Sequence, residues 1–235
     1  MKAADIRREL KSMAEPDKAA IMQRFFKTGP GQYGEGDIFI GVMVPQSRRV
    51  ARKFCQLPLG EVRTLLYSHI HEERLVALLI LAWSYSISSS REKEEEIVRF
   101  YLDNIKQVNN WDLVDLSAPN ILGAHLVDRD RRLLYRLATS ENVWKRRIAI
   151  VATHRFIRNG DFSDTLKIAK MLLQDRQHLI HKAAGWMLRE VGKRDAAAQE
   201  TFLEKHWSVM PRMMLRYAIE RLPESKRCRY KKANR

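Results

Sequence analysis

Apolar residues recur every three or four positions along nearly the whole chain, which is the spacing of a helix with one buried face. No segment shows a convincing alternation of apolar and polar residues, the pattern of a half-buried strand. The spacing therefore predicts an all-α protein with helices near residues 3–14, 17–27, 46–56, 59–69, 71–88, 91–107, 111–127, 130–138, 142–158, 163–174, 178–193, 196–207 and 211–222.

A weak internal repeat underlies these helices. Ala77, Ala149, Ala184 and Ala218 each lie in an apolar helical segment, 72, 35 and 34 residues apart. A small residue allows a neighbouring helix to approach, and helix pairs repeating at about this length stack into solenoids. We therefore predict one domain over residues 1–222, a right-handed solenoid of stacked antiparallel helix pairs. The alternative is a chance alignment within an irregular helical bundle.

A basic residue precedes three of these alanines by two positions: Arg147, Lys182 and Arg216. Equivalent positions of a curved solenoid line one concave face, so the three side chains are predicted to form a stripe. Such a basic concave face matches the phosphate backbone of a nucleic-acid duplex. The alternative is that they belong to ordinary solvated helix surfaces.

Two segments depart from the helical pattern. Residues 28–45 contain five of the ten glycines and form either a functional loop or a simple connection. Residues 223–235 are rich in Lys and Arg, and we expect them to be a disordered tail that strengthens DNA binding without specifying sequence.

Charge and composition narrow the partners. The chain has 43 Lys and Arg against 28 Asp and Glu, a net charge of +15, which favours a polyanionic partner. The longest apolar run, residues 75–83, is far shorter than the roughly 20 residues of a membrane span. Cys55 and Cys228 stand apart, and no nucleotide-binding or metal-binding motif is present. We expect a cytoplasmic monomer that needs no cofactor, binds nucleic acid and does not bind membranes.

The residues best suited to chemistry lie around Trp111 and Asp115, which share one helix face because they are four residues apart. Pro119 follows after four more residues and cannot donate to the Asp115 carbonyl, so a kink is predicted there. Asn110, a favoured N-cap residue, precedes this helix. Taken alone, Asp115 is also compatible with a cap or an ion-pair partner.

A second indole, Trp186, shares a helix face with Lys182 and Arg189, at spacings of four and three residues. Two cations and an aromatic ring suit a phosphodiester strand better than a core. Trp83, Trp144 and Trp207 are predicted to pack between helices. The seven histidines show no catalytic or metal-ligand spacing, and we assign them no function.

Four segments together resemble the AlkD family of DNA alkylation repair glycosylases: YGEGDIFIGVMVP (33–45), NNWDLVD (109–115), SENVWKRRIA (140–149) and KAAGWMLRE (182–190). The similarity extends over nearly the whole chain and is weakest beyond about residue 222. It implies a HEAT-like fold, with Asp115 in the place of the catalytic aspartate. Trp111 and Trp186 take the places of two active-site tryptophans, and Arg147 that of a DNA-contacting arginine.

The resemblance implies base excision repair of duplex DNA that contains alkylated bases. A purine alkylated at N3 or N7 is cationic and leaves without protonation, so one carboxylate suffices to stabilise the oxocarbenium ion and position water. With no lysine placed as a Schiff-base nucleophile, we expect a monofunctional enzyme. The alternatives are a non-catalytic scaffold that binds DNA or protein, and an RNA-binding helical repeat.

Overall fold

The structure is a computed structural model that describes residues 1–232, with side chains to residue 230. These residues divide into two compact units, the first Met1–Ile121 and the second beginning at Leu122. All regular structure described in them is helical, apart from one isolated parallel bridge between Ile38 and Ile70. The predicted all-α class is therefore confirmed. Within residues 1–232, no helix combines the length and the apolar character needed to cross a membrane.

The first unit is built around one buried helix. Its elements are α1 (Ala3–Ser12), α2 (Pro16–Phe25), α3 (Val44–Lys53), α4 (Leu59–Leu66), α5 (His71–Ser86), α6 (Arg91–Asp103), a 3₁₀ turn (Ile105–Gln107) and α7 (Trp111–Ser117). A π-helix (Pro119–Gly123) begins in this unit and ends two residues into the next. Helix α5 is apolar on nearly all sides and packs against α1, α3, α4, α6 and α7. A helix that is apolar all round has to be enclosed in this way.

The second unit contains three of the four alanines of the predicted repeat, Ala149, Ala184 and Ala218. Its elements are α8 (Arg132–Ala138), α9 (Val143–Ala152), α10 (His154–Arg158), α11 (Ser163–Met171), a 3₁₀ turn (Leu172–Gln174), α12 (His178–Gly192), α13 (Ala196–His206), a 3₁₀ turn (Trp207–Val209), α14 (Arg212–Ala218) and α15 (Glu224–Lys232). Helix α12 packs against both α9 and α14, the helices one repeat before and one repeat after it.

The repeated small residues lie where these helices meet. Ala149, Ala184 and Ala218 have no exposed surface. At the adjacent Gly185, a Cβ would lie 2.4 Å from the carbonyl oxygen of Met214, so glycine is required for α12 and α14 to approach this closely. The predicted helical repeat therefore has a packing basis, while its handedness and its concave basic face stay predictions.

The segment expected to be a disordered tail contains helix α15, from Glu224 to Lys232. Tyr230 is buried and its ring centroid lies 6.4 Å from that of Trp207. Lys226 pairs with Glu200 and Arg229 with Glu204, so acidic side chains of α13 offset part of the tail's positive charge. The apolar anchor and these ion pairs explain why a strongly basic segment is helical. Residues 233–235 lie outside the described residues.

Candidate active site

Helix α7 places Trp111 and Asp115 on one face, as predicted. Asn110 caps the helix, its side-chain oxygen accepting a hydrogen bond from the Trp111 amide at 2.8 Å. Asp112, Leu113 and Val114, which lie between the two site residues, are buried. Trp111 and Asp115 are each only partly buried. The helix therefore anchors itself through its middle residues and presents an indole and a carboxylate one turn apart.

The α-helical geometry ends two residues after Asp115. Helix α7 ends at Ser117, and a π-helix over Pro119–Gly123 follows. Pro119 has no N–H to donate to the carbonyl of Asp115, so the regular hydrogen-bond ladder cannot continue. The interruption predicted from the position of Pro119 is confirmed. Single π-helical turns of this kind are frequent at functional sites.

Stacked rings hold the plane of Trp111. The ring of Phe26 lies 5.0 Å from it, centroid to centroid, at an interplanar angle of 6°. Phe39 stacks behind Phe26 at 4.6 Å, and His71 stacks on Phe39 at 4.4 Å. Phe25 contacts Trp111 edge-on at 6.0 Å and is itself 65% exposed. Because Phe26 is buried between other rings, it offers the indole a rigid support.

A buried cluster of charged and polar side chains lies at the start of α7. The Nδ1 atom of His71 is 2.9 Å from a carboxylate oxygen of Asp37, and its Nε2 is 2.8 Å from one of Asp112. Arg74 donates to Asp37 at 2.6 Å, and Asn110 donates to the same carboxylate at 3.0 Å. All five side chains belong to residues no more than 5% exposed.

The charged side chains of the cluster stabilise one another. Burial opposes the charged form of His71, but Asp112 and Asp37 outweigh it and raise the pKa of His71 to about 9. Burial also opposes the charged form of Asp37, yet hydrogen bonds from His71 and Asn110, together with the charge of Arg74, lower the pKa of Asp37. At neutral pH the cluster therefore contains an imidazolium between two carboxylates.

The glycine-rich loop is a built part of this site rather than a simple connection. The Glu72 carboxylate accepts hydrogen bonds from the amides of Ile40, Gly41 and Val42, at 2.9 to 3.2 Å. Gly41 has φ +85°, and a Cβ there would lie 2.1 Å from the carbonyl oxygen of Glu15. Held in this way, the loop delivers Asp37 to the cluster and Phe39 to the aromatic stack.

Trp186, the second predicted indole, lies on α12 in the second unit and is partly buried. Its Nε1 donates to Glu190 at 3.1 Å, and the ring of His154 lies 5.8 Å away. Arg189, on the same helix, pairs with Glu190 at 3.7 Å and with Glu220. The acidic side chains that orient Trp186 and Arg189 thus come from α12 itself and from the residues after α14.

The three residues of the predicted basic stripe differ in exposure. Arg216 is exposed and lies beside the ring of Tyr217, at 5.8 Å. Lys182 is partly exposed. Arg147, in contrast, is only 5% exposed and donates to the carbonyl oxygen of Leu179 at 2.6 Å. Its guanidinium thereby joins α9 to the start of α12. That the three side chains form one stripe along DNA stays a prediction.

A model of the DNA alkylation repair enzyme family matches residues 6–222. The chain belongs to this family. The match supports a role in the repair of alkylated DNA, and it includes α7, the buried cluster and α12.

A solved structure supports the fold of this family member. The chain is similar to a predicted DNA alkylation repair enzyme from Enterococcus faecalis, with a TM-score of 0.70 and 18% sequence identity over 90% of this chain and 98% of that chain. At this identity the likeness concerns the fold. Among curated proteins, no relative matches the chain.

Sequence reasoning missed the buried cluster of this repair-family protein. His71 was assigned no function because its partners are 34 and 41 residues away, a separation that no helical spacing encodes. One signal was present. Four polar residues, 71–74, begin the otherwise largely apolar helix α5, and buried polar residues need hydrogen-bond partners. Among the described residues, no group of three or more His, Cys, Asp and Glu is arranged to hold a metal ion.

Proposed function

We propose that this DNA alkylation repair enzyme is a monofunctional DNA glycosylase of base excision repair. Its substrates are cationic purines alkylated at N3 or N7, such as 3-methyladenine and 7-methylguanine, in duplex DNA. One observation carries the proposal: in a chain of this family, α7 presents a partly exposed carboxylate, Asp115, one turn from an indole whose plane is fixed.

The chemistry matches a single carboxylate. When the N-glycosidic bond breaks, its electron pair goes to the base, which becomes neutral, and positive charge develops on the deoxyribose. Asp115 stabilises that charge and positions the water that adds to C1′, which then loses a proton. A preorganised group of this kind is worth about 10²- to 10³-fold in rate. No acid has to protonate the leaving base, since alkylation has already made it cationic.

The tryptophans and the basic residues supply binding in this proposal. An indole face attracts a cation by roughly 0.5–2 kcal/mol, which favours a cationic nucleotide over a neutral one at Trp111. By the family resemblance, Trp186 has the same role. Lys182, Arg189 and Arg216 contact backbone phosphates, and so does Arg147 by that resemblance. The net charge of +15 supports such a sequence-independent contribution.

Base release from methylated duplex DNA tests the activity. The wild-type chain is expected to release 3-methyladenine and 7-methylguanine, to leave hypoxanthine in place because it is neutral, and to leave an abasic strand uncut. Asp103→Asn, which neutralises an exposed carboxylate at the end of α6, is the matched control for Asp115→Asn. We expect the control to retain the wild-type rate.

The non-catalytic scaffold makes the opposite prediction. A scaffold binds the methylated duplex but releases no base, so retention of all purines by a folded, DNA-binding wild-type chain would favour it. Competition of duplex DNA with single-stranded RNA separates both proposals from an RNA-binding repeat.

A further inference from the structure

Two hydrogen-bonded paths lead from the buried cluster to the first amides of α7. In one, Asp37 accepts from the Asn110 side chain, whose oxygen in turn accepts from the Trp111 amide. In the other, Asp112 accepts at one oxygen from His71 and at the other from the Leu113 amide, at 2.8 Å. The turn of α7 that begins with Trp111 is therefore fastened to the loop and to α5 through buried polar bonds.

The geometry favours a His71 that is protonated on both ring nitrogens. Each nitrogen faces a carboxylate oxygen at hydrogen-bond distance, and a carboxylate can only accept. Nδ1 also lies 3.3 Å from a guanidinium nitrogen of Arg74, but its contact with Asp37 is shorter, at 2.9 Å. A neutral ring carries one N–H, so one of its nitrogens would point a lone pair at a carboxylate.

Charge balance leads to the same conclusion. The facing charges are Asp37 from the loop, Asp112 from α7 and Arg74 from α5, and they sum to zero only when His71 is an imidazolium. Of the neighbouring acids of α5, Glu73 pairs with Arg7. Glu72 is held by the loop amides, and its charge also interacts with His71, which favours the imidazolium further.

We propose that His71 is a positioning residue for the candidate site: its imidazolium fixes the first turn of α7, and loss of its proton releases that turn and misplaces Trp111 and Asp115. The link to catalysis rests on the proposed glycosylase function, whereas the proposal that His71 fixes the position of Trp111 does not rest on it. The raised pKa of His71, about 9, means that the turn is held at neutral pH and released as the pH rises through about 9.

Asp112→Asn is the decisive variant, because an asparagine at this position pairs well only with a neutral His71 ring. Its side-chain oxygen still accepts from the Leu113 amide, while its NH₂ donates to Nε2 of a neutral ring whose Nδ1–H donates to Asp37. The remaining charges, Asp37 and Arg74, still balance. His71→Gln is the opposite case. Both N–H groups of its amide lie on one nitrogen, whereas the two carboxylates face different nitrogens of the His71 ring, so the amide oxygen cannot replace the second donor. His69→Gln, at an exposed position two residues away, is the control.

The probe is ¹⁹F NMR of the full chain labelled with 5-fluorotryptophan, with the Trp111 resonance identified by Trp111→Phe. In the wild type and in His69→Gln, we expect this resonance to move with a midpoint near pH 9. In Asp112→Asn and His71→Gln, we expect no such transition. A Trp111 resonance that stays constant between pH 7 and 10 in the wild type, or that moves equally in Asp112→Asn, would overturn the proposal.

Base release measured over the same pH range tests whether the protonation of His71 also affects catalysis. The wild-type rate constant is expected to fall through the same midpoint with little change in DNA affinity, and Asp112→Asn is expected to lose this alkaline fall. For His71→Gln we expect about a ten-fold lower rate constant at neutral pH, because small displacements of catalytic groups are costly. A wild-type chain that releases no base at any pH would contradict the proposed function. The ¹⁹F result would still decide whether His71 controls the position of Trp111.

Discussion

At the scale of single residues, the candidate site depends on what supports Trp111 from behind. Phe26 is stacked on the indole and buried, whereas its neighbour Phe25 touches the indole edge-on and is mostly exposed. Phe26 therefore supports the indole from the interior of the protein, whereas the adjacent Phe25 touches it only at the surface.

Phe26→Ala is expected to destabilise the protein by about 3–5 kcal/mol, because it opens a cavity between Trp111 and Phe39. Phe25→Ala, the matched control, is expected to change stability by about 0.5 kcal/mol or less. Urea unfolding followed by circular dichroism measures both. Equal losses in the two variants would contradict the stack as the support of Trp111.

The features of the site that could be predicted from the sequence are the local ones. The common face of Trp111 and Asp115, the Asn110 cap and the interruption at Pro119 all follow from spacings of four residues or fewer, and all are confirmed. The contact between Asp37 and Asn110 joins positions 73 residues apart. Only the packing of the loop, α5 and α7 brings such a pair together, so no local sequence pattern predicts the contact.

At the scale of helices, close approach at small residues defines the repeat. Gly185 of α12 lies so near α14 that an added Cβ would be 2.4 Å from the Met214 carbonyl oxygen and 2.6 Å from the Cβ of Tyr217. Neither a backbone oxygen nor a Cβ can rotate away, so the helices themselves would have to separate.

Gly185→Ala is therefore expected to lower the free energy of unfolding by about 1–3 kcal/mol. Gly60→Ala in α4 is the control, since a Cβ there meets nothing within 4 Å. That variant is expected to be neutral or more stable by about 0.4–1 kcal/mol, because alanine restricts the unfolded chain. If Gly185→Ala is as stable as Gly60→Ala, the close packing of α12 and α14 is wrong.

Most helices could be predicted because their apolar spacing is local; the predicted helix near 71–88, for example, is α5 at His71–Ser86. Helix α15 could not, because its charged sequence gives little sign of a buried face. Its order comes from Tyr230 beside Trp207 and from acids on α13, contacts that exist only after the second unit has folded.

At the scale of the whole molecule, the excess of positive charge governs the expected affinity for DNA. Composition alone predicts a polyanionic partner, but it does not say which cations take part. The structure ranks them by exposure: Arg216 is exposed, Lys182 is partly exposed and Arg147 is buried.

Lys182→Ala and Arg216→Ala are each expected to weaken binding to duplexes of any sequence and to reduce the slope of log K against log salt by about one. Lys167→Ala removes an exposed cation from α11, which carries none of the residues of the predicted stripe, and it is expected to leave the slope unchanged. Titrations at several salt concentrations, read by fluorescence anisotropy, give the slopes. An identical slope in all variants would show that Lys182 and Arg216 of the predicted stripe do not contact phosphate.

If the carboxylate of Asp115 acts in the bond-breaking step, single-turnover release of 7-methylguanine, with enzyme in excess, must depend on it. For Asp115→Asn we expect a first-order rate at least ten-fold below that of the wild type, with DNA affinity within about two-fold. A variant that is folded, binds DNA and releases the base as fast as the wild type would contradict it.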